Sequence, residues 1–343
     1  GKEAYTIHKL GAFGSDLSAL SHFFERPWTS PAAGLKENAQ AFVLSEAAFG
    51  LRAVGRLVEA VEPMQAGQEI RVKQEKWDSA AINASNLSEL LLILGRVAEA
   101  KDVGRQSVKY ADDSGDAFQK MLNRTTAADA LLAAGEREEA EALFREAEKM
   151  QKEDQPEYPI LYSLPGFKYC DLLLEKGEIR DVVERAEKFF KWRAPSDSLL
   201  DISLDNLISG RAHLMLSRDL LRQGKKEEGE ENRIRAGEFF NKAVDGLRES
   251  GQQDYLSRGL LVRAGYFRET GQYEKAQGDL DEAFEIIEAG AMKLHLVDYH
   301  LEAARLSLEQ NRQDEGAAHR EAAKKLIGET GYKRRLKDLD DLD

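Results

Sequence analysis

A turn motif that recurs along the chain restricts what this sequence can fold into more than any other feature. The motif is clear at Gly95-Arg96-Val97-Ala98-Glu99-Ala100. Copies begin 40, 40, 42, 47, 47 and 40 residues apart, at Gly55, Gly95, Gly135, Gly177, Gly224, Gly271 and Asn311. Apolar stripes at helical spacing flank Gly135, and a left-handed glycine between them closes one helix and starts a sharp turn. Each copy is therefore predicted to be an antiparallel pair of helices.

Side-chain size recurs at fixed offsets from these turns. Small residues stand seven positions before each turn, at Ala48, Ser88, Ala128, Cys170, Ser217, Ala264 and Ala304. Mostly small residues stand five positions after it, at Ala60, Ala100, Ala140, Val182, Gly229, Ala276 and Gly316. A large apolar residue stands four positions before it, at Leu51, Leu91, Leu131, Leu173, Leu220 and Phe267, and Ser307 breaks this rule. Small groups let two helix backbones approach closely, so the pattern predicts a helical repeat array.

These residues resemble the tetratricopeptide repeat (TPR) family, whose turn pattern is matched best by Gly271-Gln272-Tyr273-Glu274-Lys275-Ala276. The resemblance covers roughly Leu35 to Gly328. It implies an all-α fold, an α-solenoid of about seven helix-turn-helix TPR-like repeats that forms a right-handed superhelix. The repeats exceed the family's usual length of about 34 residues. In this they resemble the sensor arms of bacterial signal-transduction (STAND-type) ATPases, and the run Gln155–Asp171 is similar to bacterial repeat proteins that follow an effector domain.

The first 35 residues (1-35) are predicted to be a truncated repeat with a capping segment. Gly14 has the spacing of a turn, with the tail of one helix at Tyr5–Leu10 and a second helix at Asp16–Phe24. The unit is thus cut through its first helix, and we expect an excised or processed chain. Prolines in the run Pro27–Gly34 break the helical pattern, so this run is predicted to cap the array, with Trp28 covering its core.

The repeat array is predicted to occupy residues 36-328. Prolines mark two connections, Gln151–Pro165 and Lys191–Asp205, as loops. Repeat five is predicted to carry one unusually long second helix, Lys225–Glu249, whose extra turns are either a docking feature or a solvated helix end. Residues 329-343 are predicted to form a C-terminal capping helix and a charged tail.

Composition excludes several classes of partner. The 343 residues carry a formal net charge of −13, which would repel nucleic acid. No apolar run reaches the ~20 residues of a membrane helix, and no secretory signal is present. The single cysteine cannot form an internal disulfide, so we expect a reducing, cytoplasmic setting.

Motifs for catalysis, cofactors or metals are missing from the sequence. It has no phosphate-binding glycine loop and no nucleophile elbow. His295 and His300 are five residues apart, a spacing that turns their rings away from each other on a helix. Cys170 occupies a crossing position and is predicted to be a buried, inert thiol. The run Asp338–Asp343 lacks the glycine of a calcium loop and is predicted to be a solvated tail.

The resemblance to the TPR family implies that the first helices of the hairpins line a concave surface. The candidate binding face is Phe42, Glu46, Phe49, Ile82, Asn86, Glu89, Leu122, Asp129, Asp171, Arg211, Arg218, Arg258 and Arg305. Its N-terminal half mixes apolar groups with carboxylates, which favours a basic, partly apolar partner segment. Its arginines favour an acidic stretch further along the same partner, although such charges also suit a merely solvated face. The lysine and asparagine that bind chaperone tails are missing at the corresponding positions.

Taken together, these features predict a protein–protein interaction scaffold. The finer expectation is the sensor or assembly arm of a larger bacterial signalling protein. A self-standing peptide receptor is the alternative, and an all-helical enzyme is a more distant one. The partner is expected to be a protein or peptide, with no cofactor.

Overall fold

The computed structural model describes residues 13–194 and 197–342. Within them the chain is an all-α solenoid of TPR-like repeats, as predicted, with sixteen α-helices that pack neighbour to neighbour. Fourteen of them form seven antiparallel hairpins, one for each predicted repeat. The first helix predicted at Tyr5–Leu10 lies outside the described residues.

The hairpins follow one another along the chain after a short helix, α1 (Phe13–Ser21). Their bounds are α2 (Glu37–Ala53) with α3 (Leu57–Lys73), α4 (Trp77–Ile93) with α5 (Val97–Ser114), α6 (Ala117–Ala133) with α7 (Arg137–Asp154), α8 (Ser163–Glu175) with α9 (Ile179–Trp192), α10 (Leu199–Arg222) with α11 (Lys226–Ser250), α12 (Gln253–Glu269) with α13 (Tyr273–Ala289), and α14 (Lys293–Glu309) with α15 (Gln313–Thr330). A 3-10 turn, Lys333–Arg335, and α16 (Leu336–Asp340) follow. None of the described helices is long and apolar enough to cross a membrane.

The turn residues adopt the predicted left-handed backbone. Gly95 has φ +77°, Gly135 has φ +84°, and Asn311, which replaces glycine in the last copy, has φ 60°. At Gly95 the amide of Arg96 donates to the carbonyl oxygen of Leu91 at 2.9 Å, and the glycine amide donates to Leu92. These two bonds satisfy the last carbonyl groups of α4. The turn therefore ends one helix and starts the next with only three residues, 94 to 96, between them.

The small crossing residues are buried and bring the two helices of a hairpin into direct contact. The hydroxyl of Ser88 donates to the carbonyl oxygen of Ala100 at 2.7 Å, and Ser217 makes the same bond to Gly229 at 2.7 Å. A serine hydroxyl reaches a backbone carbonyl on the facing helix only when no larger side chain stands between them. The predicted close crossing is confirmed.

The start of the chain differs from its prediction. Gly14 lies inside α1 rather than at a turn, and α1 ends at Ser21, before the predicted end at Phe24. Two short antiparallel strands follow, β1 (Phe24–Arg26) and β2 (Ser30–Pro31). Prolines on both sides of Trp28 restrict the backbone and remove N–H donors, so a tight hairpin replaces the end of the helix. Trp28 is half-buried and packs its ring against Phe24, 5.6 Å away.

Repeat five is longer than its neighbours in both helices. The long second helix predicted at Lys225–Glu249 is confirmed as α11, with 25 residues. The irregular stretch predicted at Lys191–Asp205 is too long, because α10 already begins at Leu199, where the hydroxyl of Ser198 caps it by accepting from the Asp201 amide at 3.1 Å. The extra turns pack together, since a Cβ on Gly246 would lie 2.3 Å from the Ser203 hydroxyl.

The array curves until its two ends meet. Helices α4 of repeat two and α14 of repeat seven are in contact. At the same place, a Cβ built on Gly95 would lie 2.6 Å from Cγ2 of Thr330 and 2.8 Å from Cβ of Lys293. Helices α4 and α14 are the first helices of their hairpins and are far apart in sequence. They can touch only if the array curves so that its first helices lie on the concave side. The side of the array that they enclose is called the inner face below.

Residues 331–342, called the inserted segment, cross this inner face. The 3-10 turn contacts α6, and Tyr332, Arg334 and Leu339 are buried. The predicted solvated tail is therefore wrong for Leu339, which is 6% exposed. Its apolar side chain packs in the hydrophobic core of the last repeats, which also contains Tyr332.

Candidate binding surface

First helices of several repeats converge on the inner face and bring charged side chains together there. Glu89 of α4 accepts from Nζ of Lys168 at 2.7 Å and from Arg52 at 3.5 Å. Arg52 also lies 3.5 Å from Asp254 of α12, so repeats one and six are joined. Burial alone would raise the pKa of Glu89, but Lys168 and Arg52 lower it below its usual range. Glu89 is thus an ionised and internally paired carboxylate.

Asp171 of α8 is the centre of a second cluster. Its carboxylate accepts from Arg211, from Arg258 at 2.5 Å and from Arg334 at 2.7 Å. Burial opposes ionisation, yet the three guanidinium groups hold the pKa of Asp171 well below its ordinary value. Arg334 also donates to Glu175. Four separate elements therefore meet at one buried carboxylate.

A cavity of about 60 Å³ remains between these two clusters. Asp129, Tyr255 and Tyr332 are among its lining residues. His295 lines it too, with Nδ1 2.9 Å from the Ser257 hydroxyl, and burial lowers the pKa of this histidine. The space suits a few water molecules rather than a ligand. Glu89 and Asp171, two of the four predicted acidic residues of the candidate face, are thus paired with the chain's own cations.

A much larger pocket, of about 540 Å³, opens on the inner face of repeats five to seven. We call it the arginine pocket. Its cationic lining residues are Arg211, Arg218, Arg222, Arg258, Arg268, Arg305 and Arg335. Facing carboxylates hold several of them: Arg268 donates to Glu302 at 2.6 Å, and Arg305 donates to Asp338 at 2.9 Å. These pairs fix the guanidinium groups in positions from which they face the open space.

An apolar groove of about 270 Å³ lies at the other end, between α1 and α2. Phe42 and Phe49 line it and are 56% and 49% exposed. Glu46 stands between them on the same face of α2, and burial together with Asp16 raises its pKa. Ile82 of α4 is exposed as well, at 43%. Apolar side chains that are exposed side by side in one groove mark a contact area.

The remaining predicted residues are dispersed. Asn86 is exposed on α4, Leu122 is half-buried on α6, and Arg218 pairs with Glu269 near the mouth of the arginine pocket, with Nε 3.0 Å from the carboxylate. The structure thus brings the predicted arginines together and separates them from the apolar groove.

Sequence reasoning missed the part that the inserted segment plays. Arg334 lies in the run that is predicted to be a capping helix with a charged tail, and its side chain, 4% exposed, reaches into the array. Tyr332 and Leu339 are seven residues apart, the spacing of one face of a helix, and both are buried. This spacing of apolar residues could have predicted from the sequence that the segment packs on the array.

Comparisons with known proteins identify the fold only. No family model matches the chain, and no curated protein matches it. Among solved structures, the Rap conjugation gene regulator of the plasmid pLS20, in complex with the Phr* peptide, aligns over 86% of this chain and 79% of its own. Its TM-score is 0.58 and its sequence identity 11%. The P58(IPK) TPR domain aligns over 98% of this chain and 95% of its own, at 13% identity, with a TM-score of 0.26 that supports no argument. The chain shares the helical-repeat fold of the Rap regulator.

Proposed function

We propose that this chain is a protein-interaction scaffold that binds a peptide segment of its partner in the arginine pocket. The observation that carries the proposal is the pocket itself, about 540 Å³ of space enclosed by the first helices of three consecutive repeats. Ligand sites in proteins typically have volumes of roughly 300–1,000 Å³. Side chains from α10, α12 and α14 all face this one space, which suits an extended segment that crosses successive repeats.

The comparison with the Rap regulator supports the same reading. That regulator has a similar fold and was solved with a peptide bound. A helical repeat array offers a long curved surface on which most backbone groups already form hydrogen bonds within the helices. A bound segment is therefore recognised mainly by side chains that point inward. In this chain those side chains are mainly arginines, which bind carboxylates in a fixed, two-pronged geometry.

The finer proposal is that the chain is the sensor or assembly arm of a larger bacterial signalling protein. The resemblance of its long repeats to the arms of STAND-type ATPases supports this form. A self-standing peptide receptor is the alternative, and the peptide complex of the Rap regulator favours it. The coding sequence before Gly1 separates the two, because a nucleotide-binding or effector domain there would support the arm.

The basic, partly apolar partner segment stays a separate prediction. Glu89 and Asp171 already have cationic partners inside the chain. What is left for such a segment is the apolar groove, where Glu46 stands between Phe42 and Phe49. A basic segment would therefore bind there and not along the whole inner face.

A peptide-display selection on the full chain tests the scaffold proposal. The affinities of enriched peptides are then measured by fluorescence anisotropy for the wild type, for Arg218→Glu and for Arg96→Glu. The two arginines are matched, because their side chains are 42% and 40% exposed and each pairs with one glutamate, but only Arg218 lines the pocket. We expect the affinity to fall about tenfold or more for Arg218→Glu alone. Failure to enrich any peptide, or equal loss in both variants, would contradict the proposal.

A further inference from the structure

The inserted segment enters the arginine pocket with acidic side chains. Asp338 and Asp341 are both among the lining residues of the pocket. Asp338 accepts from Arg305 at 2.9 Å and lies 3.4 Å from Arg335. Between the two aspartates, Leu339 is buried against the core. The chain's own sequence therefore shows one chemistry that fits here: carboxylates that enter the pocket, with a leucine between them that packs on the core beside it.

The charge of the pocket points in the same direction. Seven arginines and five carboxylates line it, although the whole chain carries a net charge of −13. Arg211 and Arg258 share Asp171, which does not line the pocket. Arg222 pairs with Asp219, which does not line it either. The arginines therefore present N–H groups in positions that bind carboxylates, without a large net positive charge. Two of the five carboxylates and one of the seven arginines, Arg335, belong to the inserted segment, so the lining supplied by the array alone has one more positive charge.

The inserted segment is held firmly at one end and weakly at the other. At its start, Arg334 and Asp171 form a pair in which both side chains are almost fully buried, at 4% and 2% exposed. At its end, the pair of Arg305 and Asp338 is 28% and 35% exposed. Partly exposed ion pairs contribute little to stability, whereas breaking a buried one is costly. Departure of helix α16 must break this partly exposed pair and uncover Leu339, which is 6% exposed, while Arg334 stays in place.

We propose that the arginine pocket binds an acidic, leucine-bearing segment of the partner, and that α16 of the inserted segment is an internal ligand that competes with it. The inference rests on the proposed function and specifies its partner and its regulation. Departure of α16 removes Asp338 from Arg305 and Arg335, which keep Glu302 and Asp298 as their other partners, and enlarges the pocket. An external acidic segment would then form the ion pairs that Asp338 forms when no such segment is bound. The external segment would bind the full chain more weakly than it would bind a pocket free of α16, because α16 must first be displaced.

Direct binding to the full chain tests this competition. The probe is a fluorescein-labelled synthetic peptide with the sequence of residues 336–343, and its matched control has asparagine in place of every aspartate. The proteins are the wild type, Asp338→Asn, and Asp340→Asn, which alters an exposed carboxylate on the same helix outside the pocket. We expect Asp338→Asn to bind the acidic probe about threefold or more tightly than the wild type, and Asp340→Asn to match the wild type. The asparagine peptide is expected to bind about tenfold more weakly than the acidic probe.

A variant of the pocket wall completes the test. Arg222 lines the pocket, but its side chain is 76% exposed and pairs only with Asp219 of its own helix, so Arg222→Gln leaves the fold intact. We expect this change to weaken the binding of the acidic probe by about twofold.

Equal affinities of the wild type and Asp338→Asn would overturn internal competition, and equal affinities of the two peptides would overturn the preference for acidic segments. If displayed peptides of neutral or basic character bind the pocket instead, the scaffold proposal stands and this inference fails. If no peptide of any charge binds there, both fail.

Discussion

Arg334 donates a hydrogen bond of 2.7 Å to Asp171 across 163 positions of sequence. The pair ties the inserted segment to the fourth repeat, in the middle of the array. Arg211 and Arg258 reach the same carboxylate from repeats five and six. One side chain of the inner face thus connects parts of a solenoid whose units otherwise contact mainly their neighbours.

Asp171 should matter more to stability than any exposed carboxylate. Replacing it by asparagine leaves the buried Arg334 and the half-buried Arg211 and Arg258 without their common counter-charge. Breaking a buried pair costs about 3–5 kcal/mol. Asp219, whose pair with Arg222 is largely exposed, is the matched control, for which Asp219→Asn should cost about 1 kcal/mol or less. Urea denaturation measures both. Similar midpoints for the two variants would show that the cluster does not hold the array together.

The histidine pair His300–His319 predicts a loss of stability on mild acidification. The two Nδ1 atoms lie 2.9 Å apart, and burial, together with the charge of His319, lowers the pKa of His300 to about 4. An unfolded histidine titrates near 6.5. Between these values the unfolded chain binds more protons, so the free energy of unfolding should fall as the pH is lowered from about 6.5 towards 4.

Variants at this pair isolate its share of the pH dependence. His300→Gln removes the group that resists protonation and should flatten the dependence of unfolding free energy on pH between 6.5 and 4. His22→Gln changes an exposed histidine that directly follows α1 and serves as the control. Thermal melts at several pH values provide the measurement. If the unfolding free energy of both variants depends on pH with the same slope, the histidine pair is not the cause of the acid sensitivity.

Close helix crossing gives a prediction about side-chain volume. Ala140 is fully buried at the crossing of α6 and α7, and Ala140→Leu would force the two helices apart. Overpacking of this kind costs roughly 1–3 kcal/mol. The same substitution at the exposed Ala117, at the start of α6, should change the melting temperature very little. An unchanged melting curve for Ala140→Leu would mean that the register assigned to the repeats is wrong.

The repeats could be predicted from sequence because their signals are local. A left-handed glycine such as Gly135 and a small residue such as Ala128 act within one hairpin, and the same pattern recurs in every copy. The closed inner face could not be predicted in this way. Arg52 meets Asp254 only because the curvature of the whole array brings the two residues together, and no local spacing encodes that curvature.

The candidate face shows the same division. Phe42 and Arg218 could be placed on first helices by their offsets from the turns. Whether a carboxylate such as Glu89 faces solvent or a cation depends on a lysine 79 positions away. Side chains that look like a binding row in sequence are in part the internal ion pairs of a curved array.

The two proline-bearing connections predict unequal amide exchange. We expect faster exchange beside both connections than inside repeats one to three, because coupling in a repeat array runs mainly between neighbouring units and these connections separate such units. Hydrogen–deuterium exchange with mass spectrometry measures this order, and uniform protection along the chain would refute it.

The contact that closes the array can be tested by two glycine substitutions that differ only in their surroundings. Gly95 and Gly55 have the same left-handed backbone, with φ +77° and +78°, so an alanine at either position pays the same conformational cost of about 1–2 kcal/mol. A Cβ on Gly95 would also collide with Thr330 and Lys293, whereas no atom lies within 4 Å of a Cβ on Gly55. Gly95→Ala should therefore lose more stability than Gly55→Ala in urea denaturation. It should also increase the radius of gyration measured by small-angle X-ray scattering, because the two ends must separate. Equal losses and equal radii for the two variants would mean that the ends of the array are not held together at this contact.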